Sequence, residues 1–273
     1  MRGIKLRRNA LRARVIMNFK DHFSGHAALY RQARPTYPDA LFDWLAAQAP
    51  DRALAWDAGC GNGQVARALA GHFAQVVATD PSAEQVAQAP PHARIDFRVE
   101  SAEHCSLADA TASVVTVGQA LHWFDHPRFF AAVRRVLKPG GLFAAWTYAD
   151  CHVTPAIDAL KNRVYADLTA PYWPPERALV ESGYAGIEVP LDAIDVPAFA
   201  MQSDWTAAQF LAYLRSWSGS QRYSRATGED AVGSIEAALL EAWGDPDAAR
   251  TVRWDFHLRA GRKSGDRAGE AAA

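Results

Sequence analysis

The sequence predicts an α/β fold built on a mainly parallel β-sheet with helices on both faces. Two observations support this fold class. Short apolar runs with the length of buried strands alternate with stretches whose apolar residues recur at helical spacing. A glycine-rich turn joins the first such strand to the helix that follows it. Strands and helices that alternate in this way form βαβ units, and these units give parallel sheets.

The composition is that of an ordinary globular protein, with 273 residues, 49% hydrophobic and 22% charged. It excludes a disordered or fibrous chain. No apolar run reaches the roughly 18 residues that a membrane-spanning helix needs. Cys60, Cys105 and Cys151 are too sparse for a disulfide scaffold, and neither they nor the nine histidines show metal-ligand spacing. We therefore expect a cytoplasmic protein with no membrane segment and no bound metal.

The charges are unevenly distributed along the chain. The sequence has 29 Lys and Arg against 30 Asp and Glu, but residues 1–16 hold six of the basic residues and no acidic one. Nucleic-acid surfaces need clustered basic residues, so the acidic remainder disfavours a nucleic-acid partner. Met17 is a second candidate start. We expect a disordered basic leader at 1–16, a single domain at 17–262 and a disordered tail at 263–273.

The first predicted elements are a helix, a strand, a glycine turn and a second helix. Leu41, Trp44 and Leu45 have the spacing of one helical face. The apolar run at 53–56 has the length of a short buried strand. The glycines of the segment DAGCGNG, residues 57–63, then allow a sharp change of direction, and helical spacing resumes at 64–70.

Three further strands follow this helix. The apolar run at 76–79 predicts the second strand, which ends at Asp80. Ser82 is a typical N-cap for the next helix. The third and fourth strands are predicted at 95–99 and 114–117.

A helix at 125–137 completes this half, because Phe129, Phe130 and Val133 share one face and Pro139 follows its end. A fifth strand follows at 142–146. In the last third, helical spacing predicts helices at 157–168, 204–216 and 235–243, and alternation predicts a strand at 251–258. The tryptophans expected in the core are Trp44, Trp56 and Trp146.

The glycine turn and the acid that follows it carry the clearest chemical signal. Gly59, Gly61 and Gly63 follow a strand and open a helix, so main-chain N–H groups can approach a ligand closely. At the end of the second strand, the carboxylate of Asp80 can accept hydrogen bonds from both hydroxyls of a ribose. Together they predict a cofactor that contains adenosine. Gln64 stands where a dinucleotide fingerprint needs glycine, which disfavours a nicotinamide dehydrogenase.

Six segments of the sequence occur in the order typical of one enzyme family. They are HAALYRQARPTYP, WDAGCGNGQVARALA, VVATDPS, SAEH, GQALHWFD and RRVLKPGG. The sequence resembles the class I S-adenosylmethionine-dependent methyltransferases, and specifically the small-molecule type 11 group similar to trans-aconitate methyltransferase. The resemblance covers roughly residues 20–150 and is much weaker beyond them. It implies a Rossmann-like sheet of seven strands, S-adenosylmethionine as cofactor, S-adenosylhomocysteine as product and a small-molecule acceptor.

The resemblance also implies which residues hold the cofactor. The glycine turn and Asp57 lie at the methionine end, Asp80 at the ribose, and the pairs 81–82 and 102–103 at the adenine. Each has an alternative role, since Asp57 can simply cap the turn and Glu103 can be a solvated carboxylate. The cofactor-binding residues implied are Tyr30, Arg34, Asp57, Gly59, Gly61, Gly63, Asp80, Pro81, Ser82, Ala102, Glu103 and Gln119.

His122 and Trp123 follow the fourth strand, whose carboxyl end should face the transferred methyl group. His122 is a candidate base or orienting group, since histidine titrates near neutrality, or else it shapes the pocket wall. Trp123 can exclude water. A carboxylate acceptor is already ionised at pH 7 and needs only a cationic anchor, for which Arg34 is a candidate. The predicted acceptor-binding residues are therefore Arg34, His122 and Trp123.

We predict a methyltransferase that acts on a carboxylate oxygen of a small molecule. A hydroxyl, amine or carbon acceptor remains an alternative, as does a cofactor-binding module that acts through protein contacts. The basic leader leaves RNA as a further possible acceptor. DNA amino-methylation is disfavoured, because no Asn/Asp-Pro-Pro-Tyr sequence follows the fourth strand. The protein is expected to be a monomer or a homodimer.

Overall fold

A computed structural model describes residues 34–265 of the protein. The predictions for the basic leader at 1–16, for Tyr30 and for the tail from residue 266 onward lie outside the described residues. Within the described part, the elements follow one another as alternating helices and strands as far as His152, and the arrangement changes after it.

Five parallel strands form the centre of the sheet in the order β3-β2-β1-β4-β5. Because the chain crosses over between successive strands, their carboxyl ends meet at one edge, where ligands bind in such sheets. The central strands are β1 Leu54–Ala58, β2 Gln75–Asp80, β3 Ile95–Val99, β4 Ala112–Gly118 and β5 Leu137–His152.

An antiparallel strand, β8 Arg250–Arg262, extends the sheet beyond β5. Its other edge pairs with two short strands at different heights, β6 Asp192–Ala193 and β7 Met201–Trp205. The sheet therefore has eight strands in seven positions, because β6 and β7 pair with different parts of the same edge of β8. Seven positions agree with the seven strands that were expected. The mainly parallel sheet is confirmed.

Helices cover both faces of the sheet. On one face, α1 Asp39–Gln48 and α2 Gln64–Leu69 pack through residues such as Leu41 and Leu69. On the other face, α4 His126–Val136 and α6 Arg177–Glu181 contribute Phe129 and Val180 to a second core. A short helix, α3 Ala83–Ala87, follows β2. Apolar burial on both faces is what a parallel sheet requires, because neither face is solvated.

The end of β5 and the chain after it form a third core, rich in aromatic residues. Tyr148, Tyr213, Trp217 and Trp254 lie within it, with edge-on and tilted ring contacts. The helices that build it are α5 Pro155–Asn162, α7 Ala207–Arg215, α8 Ser218–Thr227 and α9 Glu236–Trp243. No helix among residues 34–265 has the length and apolar character needed to cross a lipid bilayer.

The predicted elements up to residue 146 are confirmed within a few residues, although β5 extends further in both directions. Ser82 caps α3, because its hydroxyl accepts the N–H of Gln85. Trp56 and Trp146 are fully buried as expected, whereas Trp44 is only partly buried.

Two predicted helices have wrong boundaries. The helix expected at 204–216 begins at Ala207, because Thr206 and Gln209 form a capping box and Asp204 pairs in β7. The helix expected at 157–168 ends at Asn162 and continues as a π-helical turn. Helix α8 was not predicted, since its sequence SGSQRYSRAT has almost no apolar stripe.

Candidate active site

The turn between β1 and α2 has a backbone that only glycine adopts easily. Gly59, Gly61 and Gly63 have φ values of 71°, 53° and 86°. A Cβ atom on Gly59 would lie 2.7 Å from the Cβ of Ala120, and one on Gly63 would lie 2.7 Å from the ring of Phe97. Both positions therefore need glycine for conformation and for space.

Gly61 differs from its neighbours because a Cβ there would meet only the side-chain oxygen of Gln85, at 3.8 Å. Its backbone N–H donates to Oδ2 of Asp80 at 2.9 Å, and the N–H of Ser82 donates to Oδ1 at 2.9 Å. Asp80 thus ties the glycine turn to the end of β2.

Asp57 is buried beneath the turn, at 1% exposure. Its Oδ1 accepts a hydrogen bond from Thr116 at 3.1 Å, whereas Oδ2 has no hydrogen-bond partner among the described residues. Burial raises the pKa of Asp57 to about 7, although the bond from Thr116 opposes this rise. A buried carboxylate oxygen without a partner is costly, so the site favours a donor or a cation beside it.

The residues predicted at the adenine lie along the ends of β2 and β3. Ala102 is buried at the start of a 3₁₀ turn, Ala102–His104, and Ser82 is engaged as the cap of α3. Glu103 accepts the N–H of Asp125 at 3.0 Å through Oε1, so it joins this turn to the start of α4. Pro81 lies between Asp80 and the cap.

Gln119 follows β4 directly and has a left-handed backbone, with φ of 57°. Its Nε2 donates to the carbonyl of Tyr148 at 2.9 Å, and its Oε1 accepts the hydroxyl of Thr147. Both ends of the side-chain amide are therefore held by β5. The side chain is fixed at the carboxyl edge of the sheet, against Tyr148 of the aromatic core.

His122 and Trp123 lie in a 3₁₀ turn after Gln119, and their rings are 4.7 Å apart. Nδ1 of His122 is 3.0 Å from the hydroxyl of Tyr184. Burial lowers the pKa of His122 to about 3, and the nearby charges of Arg177 and His126 act in the same direction. Burial also raises the pKa of Tyr184. So low a pKa makes the imidazole a weak proton acceptor, which favours a role of His122 in the pocket wall over a role as a base.

Arg34 lies in the segment before α1. Its Nη1 is 3.4 Å from the hydroxyl of Tyr148, and its guanidinium carbon lies 5.8 Å from the ring centre of Tyr213. A cavity of about 340 Å³ beside this segment is lined by Thr36, Tyr37 and Asn62, among other residues. The segment that holds Arg34 therefore runs close to the glycine turn and reaches the aromatic core beyond β5.

Sequence reasoning missed a second arginine at this edge. Arg177, the first residue of α6, donates from Nη2 to the carbonyl of Ala149 at 3.1 Å and from Nε to the hydroxyl of Tyr165 at 3.1 Å. Its guanidinium lies 4.7 Å from the ring centre of Trp173. No local spacing in the sequence links Arg177 to His122, because β5 and α5 separate them. The only sequence feature that marks the region around Arg177 is its high content of proline and aromatic residues.

The described residues contain no group of three or more His, Cys, Asp and Glu side chains placed to hold a metal ion. Cys60, Cys105 and Cys151 are free thiols and are buried. The three cysteines were expected to form no disulfide scaffold, and they are unpaired here.

Comparison with known proteins identifies this arrangement. The family model described as a methyltransferase domain matches residues 56–145, from β1 to the middle of β5. A solved protein from Anaeromyxobacter dehalogenans, named a "putative type II methyltransferase", is 43% identical in sequence, with a TM-score of 0.80. The match covers 85% of this chain and 99% of that one. The chain belongs to the class I S-adenosylmethionine-dependent methyltransferases.

Curated relatives support the same family at lower or more local similarity. A Dictyostelium discoideum protein, also named a putative methyltransferase, is 29% identical to this methyltransferase over 233 residues, which are 84% of this chain and 89% of that protein. An uncharacterized methyltransferase of Mycobacterium tuberculosis is 35% identical over 133 residues, covering 47% of this chain and 53% of its own length. The family model ends within β5, so it does not reach the aromatic region that follows.

Proposed function

We propose that this methyltransferase transfers the methyl group of S-adenosylmethionine to a carboxylate oxygen of a small molecule. The observation that carries the proposal is that a weakly basic His122 occurs together with two guanidinium groups near the end of β5. These groups belong to Arg34, which contacts Tyr148, and to Arg177, which contacts Ala149. A carboxylate needs a cation and no base, whereas a hydroxyl needs a base, and the pKa of His122 of about 3 makes it a weak one. The resemblance to the trans-aconitate methyltransferase group supports the same acceptor.

The residues of the glycine turn fit the cofactor. Oδ2 of Asp57 is buried without a partner among residues 34–265, as expected where the ammonium of the methionine moiety or a bound water completes the site. The space beside Gly61 lets a ligand contact the main chain. Gly59 and Gly63 hold this loop in its shape, and we propose all three glycines as the floor of the methionine site.

The remaining cofactor contacts are proposed along the strand ends. Asp80 would bind the ribose hydroxyls from the end of β2, where its carboxylate also accepts the N–H groups of Gly61 and Ser82. The adenine would lie between the pairs 81–82 and 102–103. Gln119, held by β5, would lie near the sulfur. Tyr30 and Arg34 would close over the cofactor from the N-terminal side.

When bound, the cofactor would supply an electrophilic methyl group to the acceptor oxygen, and the electron pair of the carbon–sulfur bond would stay on sulfur. The chain itself must align the two reactants and exclude water, which is the main source of rate in such a displacement. Arg34 would hold the acceptor carboxylate in place. His122, Trp123 and Tyr184 would form a wall of the site, in which Nδ1 of His122 and the hydroxyl of Tyr184 bond each other.

The test is a screen of carboxylic acids, phenols, alcohols and amines for release of S-adenosylhomocysteine. Methyl ester formation from at least one acid is expected, and activity with hydroxyl or amine acceptors alone would refute the carboxylate assignment. Calorimetry with S-adenosylhomocysteine tests the cofactor site separately. The replacement Asp80→Ala should weaken binding by about tenfold or more, as loss of charged hydrogen bonds does.

The three free, buried thiols also favour a reducing compartment, and we propose that the enzyme works in the cytoplasm. Fractionation of cells that express a tagged copy tests this location.

A further inference from the structure

The guanidinium of Arg177 is held in a fixed plane at the side of the candidate acceptor site. It lies over two aromatic rings, 4.7 Å from the centre of Trp173 and 5.4 Å from that of Tyr165. The Nε bond to Tyr165 and the Nη2 bond to the carbonyl of Ala149 fix its rotation. Arginine held in this way presents a planar fork suited to a carboxylate or phosphate.

The hydrogen-bond inventory of Arg177 leaves room for an anionic ligand. A guanidinium has five N–H donors, and one on Nε and one on Nη2 are used. Nη1 makes no hydrogen bond to any residue in the range 34–265, and it is not among the buried polar atoms without partners there. Three N–H donors therefore remain, two on Nη1 and one on Nη2, and one from each nitrogen can make a bidentate contact.

Glu181 is the acid that neutralises Arg177 in this structure. Its Oε1 is 3.5 Å from Nε of Arg177, and it accepts the hydroxyl of Tyr165. The Glu181 side chain is 49% exposed, and ion pairs exposed to this degree contribute little free energy. An anionic ligand can therefore compete with Glu181 for the charge of Arg177 at small cost.

The location of Arg177 links it to the methyl-transfer site. Helix α6 packs against β5 and against the turn Leu121–Trp123 that holds His122. The carbonyl of Ala149, which accepts from Arg177, follows that of Tyr148, which accepts from Gln119. Arg34 reaches the side chain of the same Tyr148. The two arginines thus approach adjacent residues of β5.

We propose that Arg177 is a specificity-determining residue that binds an anionic group of the acceptor other than the oxygen that receives the methyl. Two hydrogen bonds from Arg177 would engage both oxygens of a carboxylate, whereas a single contact of the kind proposed for Arg34 leaves one oxygen available for attack, so the anchored group and the methylated group are different ones. Glu181 moderates this selection through its negative charge. The inference rests on the proposed function, in which the acceptor is a small carboxylic acid.

The experiment compares acids with their uncharged analogues in the full-length enzyme. Glutarate, terephthalate and the monoamide of each are the acceptors, and kcat and KM are measured for each by release of S-adenosylhomocysteine. The change Arg177→Gln should raise KM for the diacids by roughly 10–100-fold while the values for the monoamides change little. Arg177→Lys, which keeps the charge but not the fork, should fall between the two.

Glu181→Gln distinguishes recognition from a structural role, since it should act in the opposite direction. Removing the negative charge that competes for Arg177 should lower KM for the diacids by about threefold. Arg215→Gln and Glu236→Gln are the matched controls, because this ion pair lies in the same region of the chain on α7 and α9. Neither control should change the ratio of diacid to monoamide activity.

The outcomes separate the two proposals. An unchanged ratio of diacid to monoamide activity in Arg177→Gln, or a loss in Glu181→Gln that parallels it, overturns the role of Arg177. If wild-type enzyme methylates only hydroxyl or amine acceptors, the carboxylate assignment fails, and the same variants are then compared on 4-hydroxybenzoate and its amide or 4-aminobenzoate and its amide. Unchanged calorimetric affinity for S-adenosylhomocysteine is expected in every variant. An enzyme that methylates none of these compounds overturns both proposals.

Discussion

The turn after β1 and the region after β5 lie at the same edge of the sheet, but they are constructed differently. The turn is made of backbone in left-handed conformations, with Asp57 and Asp80 as its main polar side chains. The region after β5 is made of side chains, in which aromatic rings surround Arg177. A site made of backbone tolerates few substitutions, whereas a site made of side chains can change its ligand by single replacements. We expect the first to serve the invariant donor and the second the acceptor.

The largest expected effect is that of Gly63→Ala. The substitution forces a left-handed alanine and places its Cβ 2.7 Å from the ring of Phe97. We expect a loss of about 4 kcal/mol in the free energy of unfolding, from the backbone and the overpacking combined, together with loss of S-adenosylhomocysteine binding. Urea denaturation and calorimetry measure the two effects.

The matched control for this substitution lies in the other region. Gly228 has a similar φ of 78°, but a Cβ atom there would meet no atom within 4 Å. Gly228→Ala should therefore cost only about 1 kcal/mol and leave cofactor binding intact. Equal losses in the two variants would mean that the glycine turn is not specially constrained, and the contrast between the regions would disappear.

Asp57 gives the donor side a pH dependence of stability. Its pKa is raised from an ordinary value of 3.8 to about 7, so the folded protein binds the proton more tightly than the unfolded chain does. This contribution to stability is full below pH 3.8 and is lost as pH rises towards 7. The asparagine in Asp57→Asn does not titrate, so the variant should lack this pH dependence, which amounts to a few kcal/mol in the free energy of unfolding.

The measurement is urea denaturation of the wild type and of Asp57→Asn at several pH values between about 4.5 and 8, the range in which the group titrates. The variant should gain stability relative to the wild type as pH rises, because the wild type must bury a charge that the variant lacks. A difference that is constant across this range would show that Asp57 is ionised throughout and stabilised by other contacts.

The same contrast explains which parts of the molecule the sequence could predict. A left-handed turn requires glycine, and a buried strand requires a short apolar run, so Gly59, Gly63 and the strands up to β5 left local signals. Arg177 comes close to His122 only because α6 packs against β5 and against the turn Leu121–Trp123. No sequence feature near either residue predicts this packing. The start of α7 was missed in part for a related reason, since Asp204 pairs with Thr251 of a distant segment. The capping box of Thr206 and Gln209 was a local signal for that start that the sequence reasoning did not use.

A smaller effect is expected on the acceptor side from Gly219→Ala. A Cβ there would lie 2.7 Å from Cε2 of Trp173, so the ring that supports Arg177 must move. The added helix propensity of alanine offsets part of the strain in α8, and we expect a net loss of stability of about 1 kcal/mol. KM for acidic acceptors should rise severalfold, with unchanged affinity for S-adenosylhomocysteine.

Gly186→Ala is the control for this change, because a Cβ at Gly186 meets no atom within 4 Å. It should leave both KM and stability near the wild-type values. A loss of S-adenosylhomocysteine affinity in Gly219→Ala would contradict the division of the edge into a donor part and an acceptor part, since Trp173 would then act on both.

The smallest effect is expected at the boundary between the two regions, where His122 bonds to Tyr184. With a pKa of about 3, His122 stays neutral from about pH 5 to pH 9, so it should contribute no titration to kcat with a carboxylate acceptor. We expect His122→Gln, which keeps a hydrogen-bonding side chain, to lower kcat by about threefold or less, the cost of one neutral hydrogen bond. Rate profiles of both enzymes across this pH range test the expectation. A limb near pH 6.5 that is present in the wild type and absent from the variant would mean that His122 acts as a base. The acceptor would then be a hydroxyl, an amine or a carbon and not a carboxylate, because only a group that must lose its proton benefits from a base at that position.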